Sequence, residues 1–179
     1  MRIAISGKAG SGKSTVANKL AKKLGLKHYS IGDLMRQIAK ERKVSLLHLS
    51  KIAEKDTSID KELDKKQIQL KDNDDFVIDG RLSAFFIPNA DLKVFLECDN
   101  KVRVERVMKD NRGEEKSKDI TSLAAKIKQR EISERKRYKE LYNADYYDKN
   151  LYDLMIDTTN LTPDEVVEEI INSINVNEK

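Results

Sequence analysis

The chain has 179 residues, 37% of them charged, and a formal net charge of +4. That length favours one domain with a buried core, and recurring apolar runs exclude a disordered chain although the charged fraction exceeds the usual value of about 25%. A single cysteine, Cys98, excludes an internal disulfide and fits a reducing, cytoplasmic setting, and no apolar run is long enough to span a bilayer, so no membrane partner is expected.

In chain order, the first apolar run, Arg2–Ser6, reads as a buried strand. No signal-peptide core precedes it. Gly7-Lys8-Ala9-Gly10-Ser11-Gly12-Lys13-Ser14-Thr15 follows and fits G-x-x-x-x-G-K-[ST] at every fixed position. Val16, Leu20 and Leu24, with Ala17 and Ala21, then form a helical stripe. Lys27–Ser30 predicts a second strand. The segment 31–71 predicts two or three helices, with stripes at Met35, Ile38 and Ala39, at Leu47, Leu49, Ile52 and Ala53, and at Leu63, Ile68 and Leu70. Phe76–Asp79, Leu92–Glu97 and Tyr152–Asp157 predict three more strands. Between the last two lies a densely charged helical stretch, Lys101–Leu141, with thin apolar faces at Val102, Val104, Val107 and Met108 and at Leu123, Ala124 and Ile127. Thr162-Pro163-Asp164-Glu165 opens a last helix through Ile174, with Thr as N-cap, Pro at N1 and Glu at N3, and the residues from Asn175 onward are expected to fray. Most strands are apolar without alternation, as strands covered on both faces should be. Strands alternating with helices predict an α/β fold with a parallel sheet.

Strand, glycine-rich loop and helix are the setting in which this loop binds a nucleoside triphosphate. Main-chain N–H groups curl round phosphate oxygens, and the helix N-terminus adds partial positive charge. Lys13 should reach the β- and γ-phosphates and Ser14 should hold Mg²⁺ through its hydroxyl. Asp79 ends a strand at the edge where ligands of open α/β sheets sit and is a second candidate for Mg²⁺, through water.

A phosphate loop alone does not separate kinases from other nucleotide hydrolases. Asn100-Lys101-Val102-Arg103 lacks the Asp of the guanine-reading N-K-x-D signature, which disfavours a Ras-like GTPase. Arginines gather where a second phosphorylated substrate would need them: Arg36, Arg81, and the trio Arg130, Arg135 and Arg137. On a helix the trio cannot point one way; Arg130 and Arg137 share a face and Arg135 is offset. The competing reading of that helix is a solvated face with pairs such as Glu131–Arg135.

With these residues the chain resembles the nucleoside monophosphate kinases, and among them the archaeal-type cytidylate kinases. The likeness runs over nearly the whole chain: Ile3–Gly7 into the loop, Leu20–Leu26, Ser30-Ile31-Gly32-Asp33-Leu34-Met35-Arg36, Ile59–Gln67, Asp79-Gly80-Arg81-Leu82, Glu131–Tyr138 and Tyr152–Thr158. The resemblance implies a P-loop kinase: a five-stranded parallel sheet flanked by helices, a monophosphate-binding helical insertion at 31–71 and a short lid at about 108–120. It implies phosphorylation of CMP or dCMP by ATP with Mg²⁺. Arg36 and Arg81 would grip the acceptor phosphate, and Arg130, Arg135 and Arg137 would neutralise charge with Lys13. Asp60 would read the cytosine edge, since a carboxylate accepts from the N4 amino group and repels the carbonyl that uracil carries there. Such an enzyme is expected to act as a monomer with no nucleic-acid partner.

Three departures bear on this. Lys8-Ala9 stands where many relatives carry proline or paired small residues; Lys8 is counted with the loop, either touching phosphate or facing solvent. Leu82 replaces the Asp that follows the matching arginine in bacterial cytidylate kinases. The Asp-Gly-Phe-Pro-Arg run of adenylate kinases is absent. AMP, UMP, shikimate and dephospho-coenzyme A remain alternative acceptors. An ATP-driven nucleic-acid factor is the rival from another class, although the basic stretch is interspersed with acids and lacks stacking aromatics. His28 and His48 lack ligand spacing. Cys98 reads as a buried thiol, and Phe85, Phe86, Tyr138, Tyr142, Tyr146 and Tyr147 read as packing residues.

Overall fold

Successive side chains of a strand point to opposite faces, and β1 (Arg2–Gly7) is apolar on both. Ile3 and Ile5 join one core layer with Val77, Val94, Leu96 and Ile156, under Val16, Ala17 and Leu20 of α1 (Lys13–Leu24) and Val166 and Ile170 of α8 (Pro163–Asn177). Ala4 faces the other way, with Phe76 and Ile78 against Ala84 and Ile87. Further along that second face, Phe95 packs with Leu82, Phe86 and Tyr146. The sheet is therefore buried on both sides.

The computed structural model describes residues 1–70, 72–110 and 117–177. Among them, β1, β2 (Lys27–Ser30), β3 (Phe76–Asp79), β4 (Leu92–Glu97) and β5 (Leu154–Asp157) form one parallel sheet in the order β2-β3-β1-β4-β5. Ile5 stands opposite Asp79 on one side and Val94 on the other. The chain fills the β2–β3 side first and then crosses β1 to β4. The strand ends at that reversal of direction form the crevice where open α/β sheets take ligands.

Three strands have the bounds predicted from the sequence. β5 begins later than the predicted Tyr152, because the Tyr152 N–H is taken by Lys149 O in a 3₁₀ turn, Lys149–Leu151. α8 runs past Ile174 to Asn177. Its start is the predicted capping box: Glu165 N–H donates to Thr162 Oγ1 at 3.3 Å, and Thr162 N–H donates to Glu165 Oε2 at 2.7 Å.

Between β2 and β3 stand α2 (Ile31–Glu41), α3 (Leu46–Ala53) and α4 (Ser58–Ile68). They carry a small core of their own: Ala39, Leu46, Leu49, Ala53 and Ile59, with Met35 and Ile38 against it. Leu46 takes the buried place expected of Leu47, because α3 starts there and Leu46, Leu49 and Ala53 share a face. Ile68 is 46% exposed, since the inward face of α4 carries polar groups, Asp60, Asp64 and Gln67, beside Ile59 and Leu63. After β3 come α5 (Ser83–Phe86), α6 (Asn100–Lys109) and the long α7 (Ile120–Tyr142). The middle of the lid predicted at about 108–120, residues 111–116, lies outside the described residues, as does residue 71 at the end of the predicted insertion.

Candidate active site

The loop after β1 owes its shape to close approaches. Gly7 has φ 145° and Gly10 φ 77°; a Cβ would lie 2.4 Å from Leu96 O at the first and 2.3 Å from Arg103 O at the second. Only glycine meets both the backbone angle and the space. α1 begins at Lys13 without a side-chain cap, so its first-turn N–H groups remain available to an anion. Lys13 Nζ donates to Lys8 O at 2.6 Å across the loop. Burial, and then the neighbouring Arg81 guanidinium, push the Lys13 ammonium well below the ordinary lysine range. An arriving anion would relieve that penalty.

Asp79 is buried where β3 ends, beside Ser14 of α1. Ser14 Oγ donates to Asp79 Oδ2 at 2.8 Å and Ser30 Oγ donates to the same oxygen at 3.3 Å. His28 Nε2 stands 2.7 Å from Asp79 Oδ1. Ser30 also caps α2 by accepting from Asp33 N–H. A hydroxyl and a carboxylate side by side next to a phosphate loop suit Mg²⁺, which keeps several waters and takes only one or two protein ligands beside phosphate oxygens.

Arg81 follows β3 and points back under the loop. Its Nε donates to Glu134 Oε2 at 2.8 Å and its Nη1 to Gly7 O at 2.9 Å. Glu134 Oε1 lies 3.4 Å from Arg130 Nε on the same helix. Burial alone would raise the Glu134 carboxyl, but Arg81 and Arg130 hold it below the ordinary range. Two guanidinium groups are thus gathered at one buried carboxylate in the cleft wall.

Asp60 and Arg137, each 3% exposed, form a second buried pair: Arg137 Nε donates to Asp60 Oδ2 at 2.7 Å and Nη2 to Oδ1 at 3.4 Å. Arg137 Nη1 is held by Ser133 Oγ and Ser50 O. Arg137 therefore ties α4 and α3 to α7. One cleft of about 340 Å³, in the range of small-ligand sites, connects these features. Its wall runs from the loop through Asp79, Arg81, Arg130 and Glu134 to Met35, Arg36, Leu46, Asp60, Leu63 and Tyr138. Its other end is lined by Arg106, Thr158 and Leu161.

The cytidylate kinase-like family model matches residues 2–160. The chain belongs to the cytidylate kinase-like family. It is 42% identical over 164 residues to a cytidylate kinase of Pyrococcus abyssi, covering 92% of this chain and 88% of that protein. It is 38% identical over 177 residues to a cytidylate kinase of Methanobrevibacter smithii, covering 98% and 99%. A shikimate kinase from Acinetobacter baumannii, solved with shikimate, is similar in fold, with a TM-score of 0.64 at 18% identity over 98% of this chain and 93% of that one.

In this member of the cytidylate kinase-like family, the cleft brings together Ala9 to Thr15, Arg36, Asp60, Asp79, Arg81 and Arg130. Gly7 and Lys8 stand behind it: Gly7 O accepts from Arg81, and Lys8 Nζ lies 5.2 Å over the Tyr147 ring. Arg36 reaches the cleft and pairs with Asp33. Arg137 supports Asp60 from outside the lining. Arg135 is not brought to the cleft; it is half exposed, donates to Asp145 at 2.7 Å and lies over Tyr147. The Glu131–Arg135 pair of the competing, solvated-face reading does not form, because Glu131 is buried against Arg103 of α6.

Sequence reasoning missed several groups at this site. His28, set aside for want of ligand spacing, stands against Asp79. Glu134 was legible only inside the Glu131–Tyr138 segment of the likeness, with no role attached, although its i,i+4 place relative to Arg130 was a signal. Arg103 was read only as the residue that spoils N-K-x-D. Arg106 donates to Thr158 Oγ1 at 3.1 Å and Thr158 O at 2.7 Å, and Thr158 Oγ1 donates to Ser11 O at 3.1 Å. No local pattern announces that chain of contacts.

Proposed function

We propose that the chain transfers the γ-phosphoryl group of ATP to CMP or dCMP, giving ADP and CDP or dCDP. The observation that carries this reading is a buried, arginine-held carboxylate, Asp60, in the same cleft as a phosphate loop. Asp60 keeps lone pairs beyond its two bonds to Arg137. It can accept from the cytosine N4 amino group, whereas uracil presents a carbonyl there. The family membership supports the same reading.

In this account the triphosphate lies on Ala9 to Thr15 and at the start of α1. The acceptor lies under α2, α3 and α4, which form the monophosphate-binding insertion. Arg36 and Arg81 hold its phosphate, with Arg130 beside them. An acceptor phosphate oxygen attacks the γ-phosphorus, the bond from that phosphorus to the β,γ-bridging oxygen breaks, and ADP leaves. A phosphate monoester is already nucleophilic, so no general base is required. Lys13, Arg81 and Arg130 neutralise charge on the transferred group. Ser14 and Asp79 would hold Mg²⁺, which when bound supplies charge neutralisation at the β- and γ-oxygens.

Steady-state turnover with ATP, Mg²⁺ and each of CMP, dCMP, UMP, AMP and GMP tests the reading. CMP and dCMP are expected to give the highest kcat/KM. A preference for AMP, or for UMP over CMP, would overturn the role given to Asp60.

A further inference from the structure

Ala9 stands near the crest of the phosphate loop, and one ion pair from far along the chain holds its peptide groups on both sides. Arg103 Nη1 donates to Ala9 O at 3.1 Å. Ala9 N–H is directed at Glu131 Oε1, 3.4 Å away. Arg103 and Glu131 are joined to each other by Nη1 to Oε1 at 2.5 Å and Nη2 to Oε2 at 3.1 Å, and Arg103 Nε donates to Asn100 Oδ1 at 2.9 Å. Both side chains are buried, 6% and 8% exposed as residues. The Ala9 methyl fills the seam between α6 and α7, among Val104, Val107, Leu123 and Ile127. The α6 backbone also closes on Gly10, where a Cβ would meet Arg103 O.

Neither Arg103 nor Glu131 lines the cleft, so their charges are not spent on a ligand. Compared with an apolar pair of the same volume, a buried pair of this kind adds little net stability. What it adds is direction. A loop that recognises phosphate through main-chain N–H groups gains when those groups are fixed before the ligand arrives.

We propose that Arg103 and Glu131 are positioning residues for the triphosphate: they clamp the Ala9 peptide groups and set the phosphate loop for ATP. This deepens the proposed function and rests on its reading of residues 7–15 as the ATP site. It assigns the pair an effect on one substrate only, since the acceptor end of the cleft does not touch it.

The test titrates ATP and CMP separately by calorimetry, with Tm measured alongside, on the wild type, Glu131→Leu, Arg103→Met/Glu131→Leu and Arg103→Lys. Glu131→Leu leaves the Arg103 guanidinium buried without a carboxylate partner and is expected to lower Tm. The double variant is expected to regain Tm, because no charge is then orphaned. Its ATP Kd should stay raised about tenfold while its CMP Kd stays within about twofold of wild type, as displaced site groups affect only what they position. Arg103→Lys keeps the charge but loses the fork, and should show the same split if the double variant does not fold. A purely structural pair would recover ATP affinity together with Tm. ATP affinity equal to wild type in either variant, or equal weakening of ATP and CMP, overturns the clamp alone. A wild type without ATP affinity overturns the ATP site and the clamp with it.

Discussion

At the phosphate end of the cleft, buried ion pairs reach across the molecule to hold backbone in place: Arg103–Glu131 at Ala9, and Arg81–Glu134 with Arg81 on Gly7 O. The helical insertion at the other end is held mostly by aliphatic packing among α2, α3 and α4, and joins α7 through Asp60–Arg137. Hydrogen-bonded ion pairs are directional, so they suit a loop whose N–H groups must aim at phosphate. Aliphatic packing has no preferred direction and suits a wall that, in the proposed function, need only exclude water and present one carboxylate. The difference implies that variants at the phosphate end which leave no buried charge without its partner should lose chemistry while keeping the fold, whereas variants in the insertion should lose stability first.

The largest effect expected is at Lys13. Lys13→Met should lower kcat about 10³-fold, the upper range for removing one group that stabilises transition-state charge. Tm should stay level or rise, because burial of the ammonium opposes folding. A matching loss of Tm would erase the contrast between the two ends. Leu49, fully buried in the insertion core, is the opposite case. Leu49→Ala should destabilise by about 3 kcal/mol, while ATP affinity of the folded fraction, measured by calorimetry, stays as in wild type. Lost ATP affinity there would mean that the two ends are not separable.

Asp60 joins both behaviours. Asp60→Asn removes the charge facing Arg137 and should destabilise by about 2 kcal/mol, the scale of a hydrogen bond to a charged group. The CMP-to-UMP ratio of kcat/KM should fall as well, since the amide can donate to the uracil carbonyl. Unchanged discrimination would leave Asp60 with a structural role only.

The smallest effect concerns pH. Burial raises the Asp64 carboxyl to about 6, against a hydrogen bond from Tyr142 that works the other way. Between about pH 4 and 6 the unfolded chain therefore loses this proton before the folded one does, and stability falls as pH rises. Asp64→Asn has no such titration. Its Tm advantage over wild type should be absent at pH 4, grow through that interval and stay constant above it. A difference independent of pH would contradict the raised carboxyl.

The phosphate loop, the strands and the capping box of α8 were legible because each is written in contiguous residues with a local physical reason. Asp79 and Arg81 were legible because a strand end in this topology points at the crevice. The pairings were not. Arg137 meets Asp60 across 77 positions and Arg103 meets Glu131 across 28, and a surface-rich composition offers many other partners for each charge. Helical spacing placed Arg130 and Arg137 on one face and Arg135 off it, which is the observed division. Spacing could not show that Arg137 would be spent on Asp60, or that His28 would lie against Asp79.

The central claim, a phosphate loop and an acceptor pocket sharing one cleft, is tested most directly by following ATP and CMP together by ³¹P NMR with purified protein and Mg²⁺. The expected result is ADP and CDP formed in equal amounts, with ATP consumed far more slowly when CMP is omitted. Consumption of ATP at the same rate with and without CMP, and no CDP, would contradict it.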